Sequence, residues 1–120
     1  MSYKPRRLGT VYHGTSRSNI EFIEREGLRA KCSDEPIFVT TNFSDAAKFG
    51  RFLNKEDPVV YEIGPSEIEQ SGARIKRDLR TTHGSYELYD SKPIRPKKRY
   101  LVKTDELGNP LSVESVTKLR

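Results

Sequence analysis

Cysteine is nearly missing from this chain. Cys32 stands alone among 120 residues, so no internal disulfide can form. With no activating partner near it in sequence, its thiol is not expected to act as a nucleophile. No apolar run approaches the roughly 18 residues that a membrane span needs, and no secretory signal is recognisable. A soluble, intracellular and cytoplasmic protein with no membrane partner is therefore expected, and Asn42-Phe43-Ser44, which has the form of a glycosylation acceptor, is read as a chance match. Histidine occurs only at positions 13 and 83. Two distant imidazoles and one thiol make no ligand cluster, so no metal site is expected. Apolar residues are also scarce, at 33% against 32% charged, which implies a thin core inside a large solvated shell. A chain of 120 residues is nonetheless long enough for one domain that buries roughly two-thirds of its unfolded surface.

Twenty-two Lys and Arg against seventeen Asp and Glu leave a formal charge of +5. That balance attracts polyanions such as RNA, DNA or nucleotide phosphates, or it simply reflects solvated faces. The basic residues gather at Lys4, Arg6 and Arg7, at 74–80, and at 92–103, without any motif of an RNA-binding module.

What is present is concentrated at Tyr12-His13-Gly14-Thr15-Ser16. This reads as a short strand that brings an imidazole, a glycine and two hydroxyls to one point, just before a helix. Ser18 and Glu21 have capping-box spacing, Ile20 and Ile23 share a face, and Gly27 suits a C-cap, so a helix is expected over Ser18 to Glu26. Its N-terminus would favour an anion beside Gly14-Thr15-Ser16.

Ile37-Phe38-Val39-Thr40-Thr41 reads as a strand. A short helix holding Ala46, Ala47 and Phe49 follows, capped by Ser44 or Asn42 and ended by Gly50. Val59 to Ile63 is a central strand by its β-branched content. A helical turn at Ile68, a strand over Ala73 to Lys76, a polar loop over Asp78 to Ser85 and a strand over Tyr86 to Tyr89 come next, with Glu87 at the loop-to-strand junction. Arg99 to Val102 reads as the closing strand, and Leu111 to Val116 as a weak one in a polar tail.

These blocks resemble, in order and spacing, the ADP-ribosyltransferase superfamily of the diphtheria-toxin and poly(ADP-ribose) polymerase type, whose members bind NAD in a cleft of a split β-sheet. The resemblance spans roughly Gly9 to Val102. It implies an α+β fold, a small split sheet with two short helices, in three parts: a basic segment at 1–8, the domain at 9–103, and a polar tail at 104–120 with an extra strand at most. It implies NAD as co-substrate and transfer of ADP-ribose to a protein, nucleic-acid or small-molecule acceptor. Acceptor recognition in such folds lies in loops, here Arg29 to Glu35 and Arg77 to Ser85.

By that resemblance His13 holds a ribose hydroxyl, Gly14 offers its backbone to the carboxamide, and Thr15 and Ser16 line the pocket. Phe38 stands where the family has a tyrosine, keeping a stacking face but losing the hydroxyl, and Phe49 would complete a pair of rings around the pyridinium. Ala46 stands where polymerase-type members often have a serine, a contact left to Thr40 or Ser44. Glu87 is the expected catalytic carboxylate, with Asp78 its rival by analogy with the rifampin-modifying transferases. His83 is a loop residue that can reach an acceptor, and Arg17 and Arg51 are candidate phosphate contacts. The same blocks are similar to the C-terminal lobe of the NAD-dependent RNA 2′-phosphotransferases; with eight or nine residues ahead of the first strand, the N-terminal lobe of those enzymes is not expected, which makes this the weaker alternative. A non-catalytic module that holds NAD, ADP-ribose or a nucleic-acid end is the third alternative.

Overall fold

The computed structural model describes residues 8–29, 36–77, 84–89 and 92–117. Its elements are β1 (Val11–Ser16), a 3-10 turn (Arg17–Asn19), α1 (Ile20–Glu26), β2 (Ile37–Thr40), α2 (Phe43–Asn54), β3 (Pro58–Ile63), α3 (Pro65–Ser71), β4 (Arg74–Arg77), β5 (Ser85–Tyr89), β6 (Lys98–Thr104) and β7 (Pro110–Thr117). The strands form one antiparallel sheet in the order β4-β5-β2-β1-β3-β6-β7, so the chain is an α+β domain. Among the described residues no helix is long and apolar enough to cross a membrane.

The β-branched run of β3 sits next to β1 and is buried almost throughout, as its composition predicts. One face of the sheet carries Val11, Val59, Tyr61, Ile63, Val39 and Leu88, closed over by Ile23 of α1 and Ile68 of α3. On the other face Val60 and Val102 pack against Ala46 and Ala47 of α2. Phe43 stands edge-on between Tyr12 and Tyr100, with ring centroids 5.4 and 5.1 Å away. Each fully buried aliphatic side chain in these layers contributes about 1.5–3 kcal/mol.

Several boundaries differ from the sequence expectation for local physical reasons. The first helix does not begin at Ser18. The buried Ser16 side chain accepts from the Ser18 N–H and caps a 3-10 turn, so α1 proper starts at Ile20. Nor does Gly50 end the second helix: α2 runs on to Asn54 and stops at Lys55, whose φ of 56° is left-handed. Gly50 is there because α2 lies against bare backbone, and a Cβ on it would stand 2.8 Å from Pro58 Cβ and 3.0 Å from the Thr15 nitrogen. Asn42 is the cap of α2, its Oδ1 accepting from the Asp45 N–H at 3.1 Å.

The turn expected at Ile68 is the seven-residue α3, which makes three α-helices among the described residues where two were expected. The polar tail supplies the eight-residue β7, paired with β6 from Lys98↔Thr117 to Thr104↔Pro110, so β6 does not close the sheet.

Candidate functional site

β1 and β3 are matched at six positions, whereas β1 and β2 are matched only at Tyr12↔Thr40. The sheet is therefore barely joined at its centre. His13 lies immediately beyond that single match. Its Nδ1–H donates to the Phe38 carbonyl oxygen at 2.7 Å, so the side chain bridges strands that the backbone ladder leaves apart. A carbonyl can only accept, which fixes the proton on Nδ1. Burial holds the ring's pKa below the ordinary 6.5, against the opposing effect of the Phe38 bond. At neutral pH the imidazole is uncharged and its Nε2 bears a lone pair, a ready acceptor for a hydroxyl proton.

Gly14 has a packing role that the sequence does not disclose. A Cβ there would stand 1.8 Å from the Ala46 carbonyl oxygen, so glycine is what lets α2 cross β1. Ala46, where a serine contact was considered, is 2% exposed and faces the apolar layer. The Thr15 hydroxyl accepts from Asn19 Nδ2 at 2.9 Å. Ser16 is buried and its Oγ donates to Glu56 at 3.1 Å, so it is occupied with capping and an internal carboxylate. Gly14-Thr15-Ser16 is strand, paired with Val60, Val59 and Pro58, rather than a loop at a helix N-terminus.

Phe38 sits directly opposite Glu87 on β5, and Glu87 in turn opposite Lys76 on β4. Residues facing one another across antiparallel pairs share a face, so the three form one row. Glu87 is thus in the middle of β5, not at the loop junction where it was expected. It is half-buried, and its Oε2 accepts the Tyr89 hydroxyl at 2.7 Å. Strand alternation puts His13 on the face opposite Tyr12, while Phe38, Thr40 and Glu87 share the Tyr12 face. The imidazole and the carboxylate therefore lie on opposite faces of the sheet, with the β2 backbone between them at the gap. Two strand spacings of about 5 Å each separate β1 from β5.

Phe49 reaches Phe38 from α2, with centroids 6.1 Å apart and planes at 47°. The rings touch as a tilted pair rather than standing as parallel walls of a slot. Phe49, 44% exposed, is the one with room to turn. Thr40 is buried, and its Oγ1 accepts from the Asn42 N–H at 3.2 Å.

The arginines considered for phosphate are engaged within the fold: Arg17 donates to the Val102 carbonyl at 3.2 Å, and Arg51 lies 4.0 Å from Asp57. Cys32, Asp78 and His83, with most of the two loops expected to recognise an acceptor, lie outside the described residues. Among those described, no three His, Cys, Asp or Glu side chains form a metal-ligand group.

Sequence reasoning missed Tyr89, although its place two residues after Glu87 on a strand puts it on the same face. It also missed a partly buried polar triad, in which Arg99 Nη1 and the Tyr61 hydroxyl both donate to Glu24 Oε2. No family model matches the chain, and comparison with curated proteins gives no match either.

Proposed function

We propose that this chain is a NAD-dependent ADP-ribosyltransferase of the diphtheria-toxin and poly(ADP-ribose) polymerase type. The observation that carries the reading is that Phe38 faces Glu87 across β2 and β5 while His13, on the next strand, hydrogen-bonds the Phe38 carbonyl at a junction held at one matched position. A cleft there takes the dinucleotide. The His13 Nε2 accepts a ribose hydroxyl, the Phe38 ring lies against the nicotinamide, and Gly14 brings bare backbone to the carboxamide. As the glycosidic bond breaks, positive charge grows on the ribose carbon and ring oxygen, and the Glu87 carboxylate stabilises it. Glu87 also takes the proton of the incoming nucleophile.

The test is release of nicotinamide from labelled NAD. The wild-type chain should release it steadily, and Glu87→Gln should lower the rate at least about 100-fold. Equal rates in the two would remove Glu87 from the mechanism. A second reading, a binding module without turnover, is favoured by the apolar Ala46 and by Phe38, which lacks a phenolic hydroxyl. Saturable NAD binding by calorimetry with no nicotinamide release would select it.

A further inference from the structure

We infer that the face of β4 and β5 beside the candidate cleft binds single-stranded nucleic acid, which serves as the acceptor; the acceptor role rests on the transferase reading, whereas the binding does not. β4 is a sheet edge, and all four of its side chains, Arg74, Ile75, Lys76 and Arg77, are exposed. In the nine residues of β4 and β5 three cations stand against one carboxylate, Glu87. Arg74, Ile75, Lys76 and Tyr89 line an open hollow of about 420 Å³.

Within it the Arg74 guanidinium lies over the Tyr89 ring, 5.2 Å from the centroid. Arg74 is opposite Tyr89, and Lys76 opposite Glu87, so two rows run side by side on the face that also carries Phe38. Alternate residues on a strand stand about 7 Å apart, close to the separation of neighbouring phosphates in an extended chain.

This chemistry selects an unpaired strand. Arg74 and Lys76 meet successive phosphates, and the stacked guanidinium and phenol ring form a flat cationic platform for a base. A duplex hides the base faces that such a platform needs, and an acidic peptide has no ring to lay on it. The next row carries Glu87, so the nucleotide beside the stacked base is delivered to the carboxylate. There an N–H or O–H of that nucleotide loses its proton to Glu87 as its lone pair bonds the ribose C1′. Nicotinamide leaves, neutral, with the electron pair of the broken C–N bond.

Fluorescence anisotropy with short labelled oligothymidine and oligouridine, in the absence of NAD, tests the binding. The wild-type chain should bind, with affinity falling as salt rises by a log–log slope of roughly −0.7 per phosphate contact. Arg74→Ala and Lys76→Ala should each weaken binding at least about fivefold and flatten that slope by one contact. Tyr89→Leu should weaken it similarly, and Tyr89→Phe, which keeps the ring, should not; thermal melts establish that each variant is folded.

Wild-type affinity in folded Arg74→Ala and Lys76→Ala would overturn the inference, as would equal binding of a blunt duplex or equal competition by polyglutamate. Strand binding without nicotinamide release would remove the acceptor role and the transferase reading together, while leaving the binding surface in place. Nicotinamide release without strand binding would do the reverse.

Discussion

The Nδ1–H of His13 and the carbonyl oxygen of Phe38, 2.7 Å apart, form a side-chain link across strands whose backbones meet at one matched position. Proton uptake by this ring costs the folded state more than the unfolded one, because burial lowers the His13 pKa only when the chain is folded. Its contribution to stability is complete above the ordinary value of 6.5 and declines as pH falls through it towards the lower folded value. Urea denaturation should therefore give a lower midpoint at pH 5 than at pH 7, and His13→Asn, which keeps a donor for Phe38 but cannot be protonated, should remove part of that difference. An unchanged difference in His13→Asn would place the pH dependence elsewhere.

The contact between α2 and β1 makes a sharper stability prediction. Gly14→Ala puts a methyl group into the Ala46 peptide and Gly50→Ala puts one against Pro58 and the Thr15 nitrogen. Each should cost about 1–3 kcal/mol, with Gly14→Ala the worse because its 1.8 Å approach is to backbone that can yield only by moving the helix. Chemical denaturation of both variants measures this, and a neutral Gly14→Ala would contradict the packing described.

Glu24, Arg99 and Tyr61 form a network whose guanidinium Nε is buried with no hydrogen-bond partner among the described residues. Arg99→Met leaves the Glu24 carboxylate three-quarters covered and uncompensated by charge, a loss of about 2–4 kcal/mol. The double variant Glu24→Leu with Arg99→Met removes both charges and should be less destabilised than Arg99→Met alone. A double-mutant cycle decides, since additive losses would mean the pair is not coupled.

Tyr89 and Glu87 should separate orientation from chemistry in nicotinamide release. Tyr89→Phe deletes the 2.7 Å bond to Glu87 Oε2 while keeping the carboxylate, and a drop of about tenfold is expected. Glu87→Gln should fall at least tenfold further. Equal losses in the two variants would mean that the phenol acts for itself.

The strands were legible where packing and local propensity agree. Val59-Val60-Tyr61 and Ile37-Phe38-Val39 are β-branched and aromatic, and all but Phe38 are buried, so pattern alone finds β3 and β2. Gly50 misleads because a glycine that admits a neighbouring strand looks in sequence like one that stops a helix. Ser18 misleads because Ser16, two residues earlier, has the hydroxyl that caps. In the site, Tyr12-His13-Gly14 announces itself, but that Phe38 faces Glu87, and Glu87 faces Lys76, is a matter of register between segments far apart in the chain. The Arg74 and Tyr89 platform was hidden for the same reason.

Where Gly14 and Gly50 meet, α2 rests on β1 peptide to peptide, and no side chain at that crossing can be compressed or rotated to make space. Any guest entering beside Phe38 must be admitted by Phe49 swinging about its own bonds, since sliding the helix would drag the strand that carries His13 along with it. Helix and strand thus form a single stiff jaw, with the Phe49 phenyl ring as a hinged part.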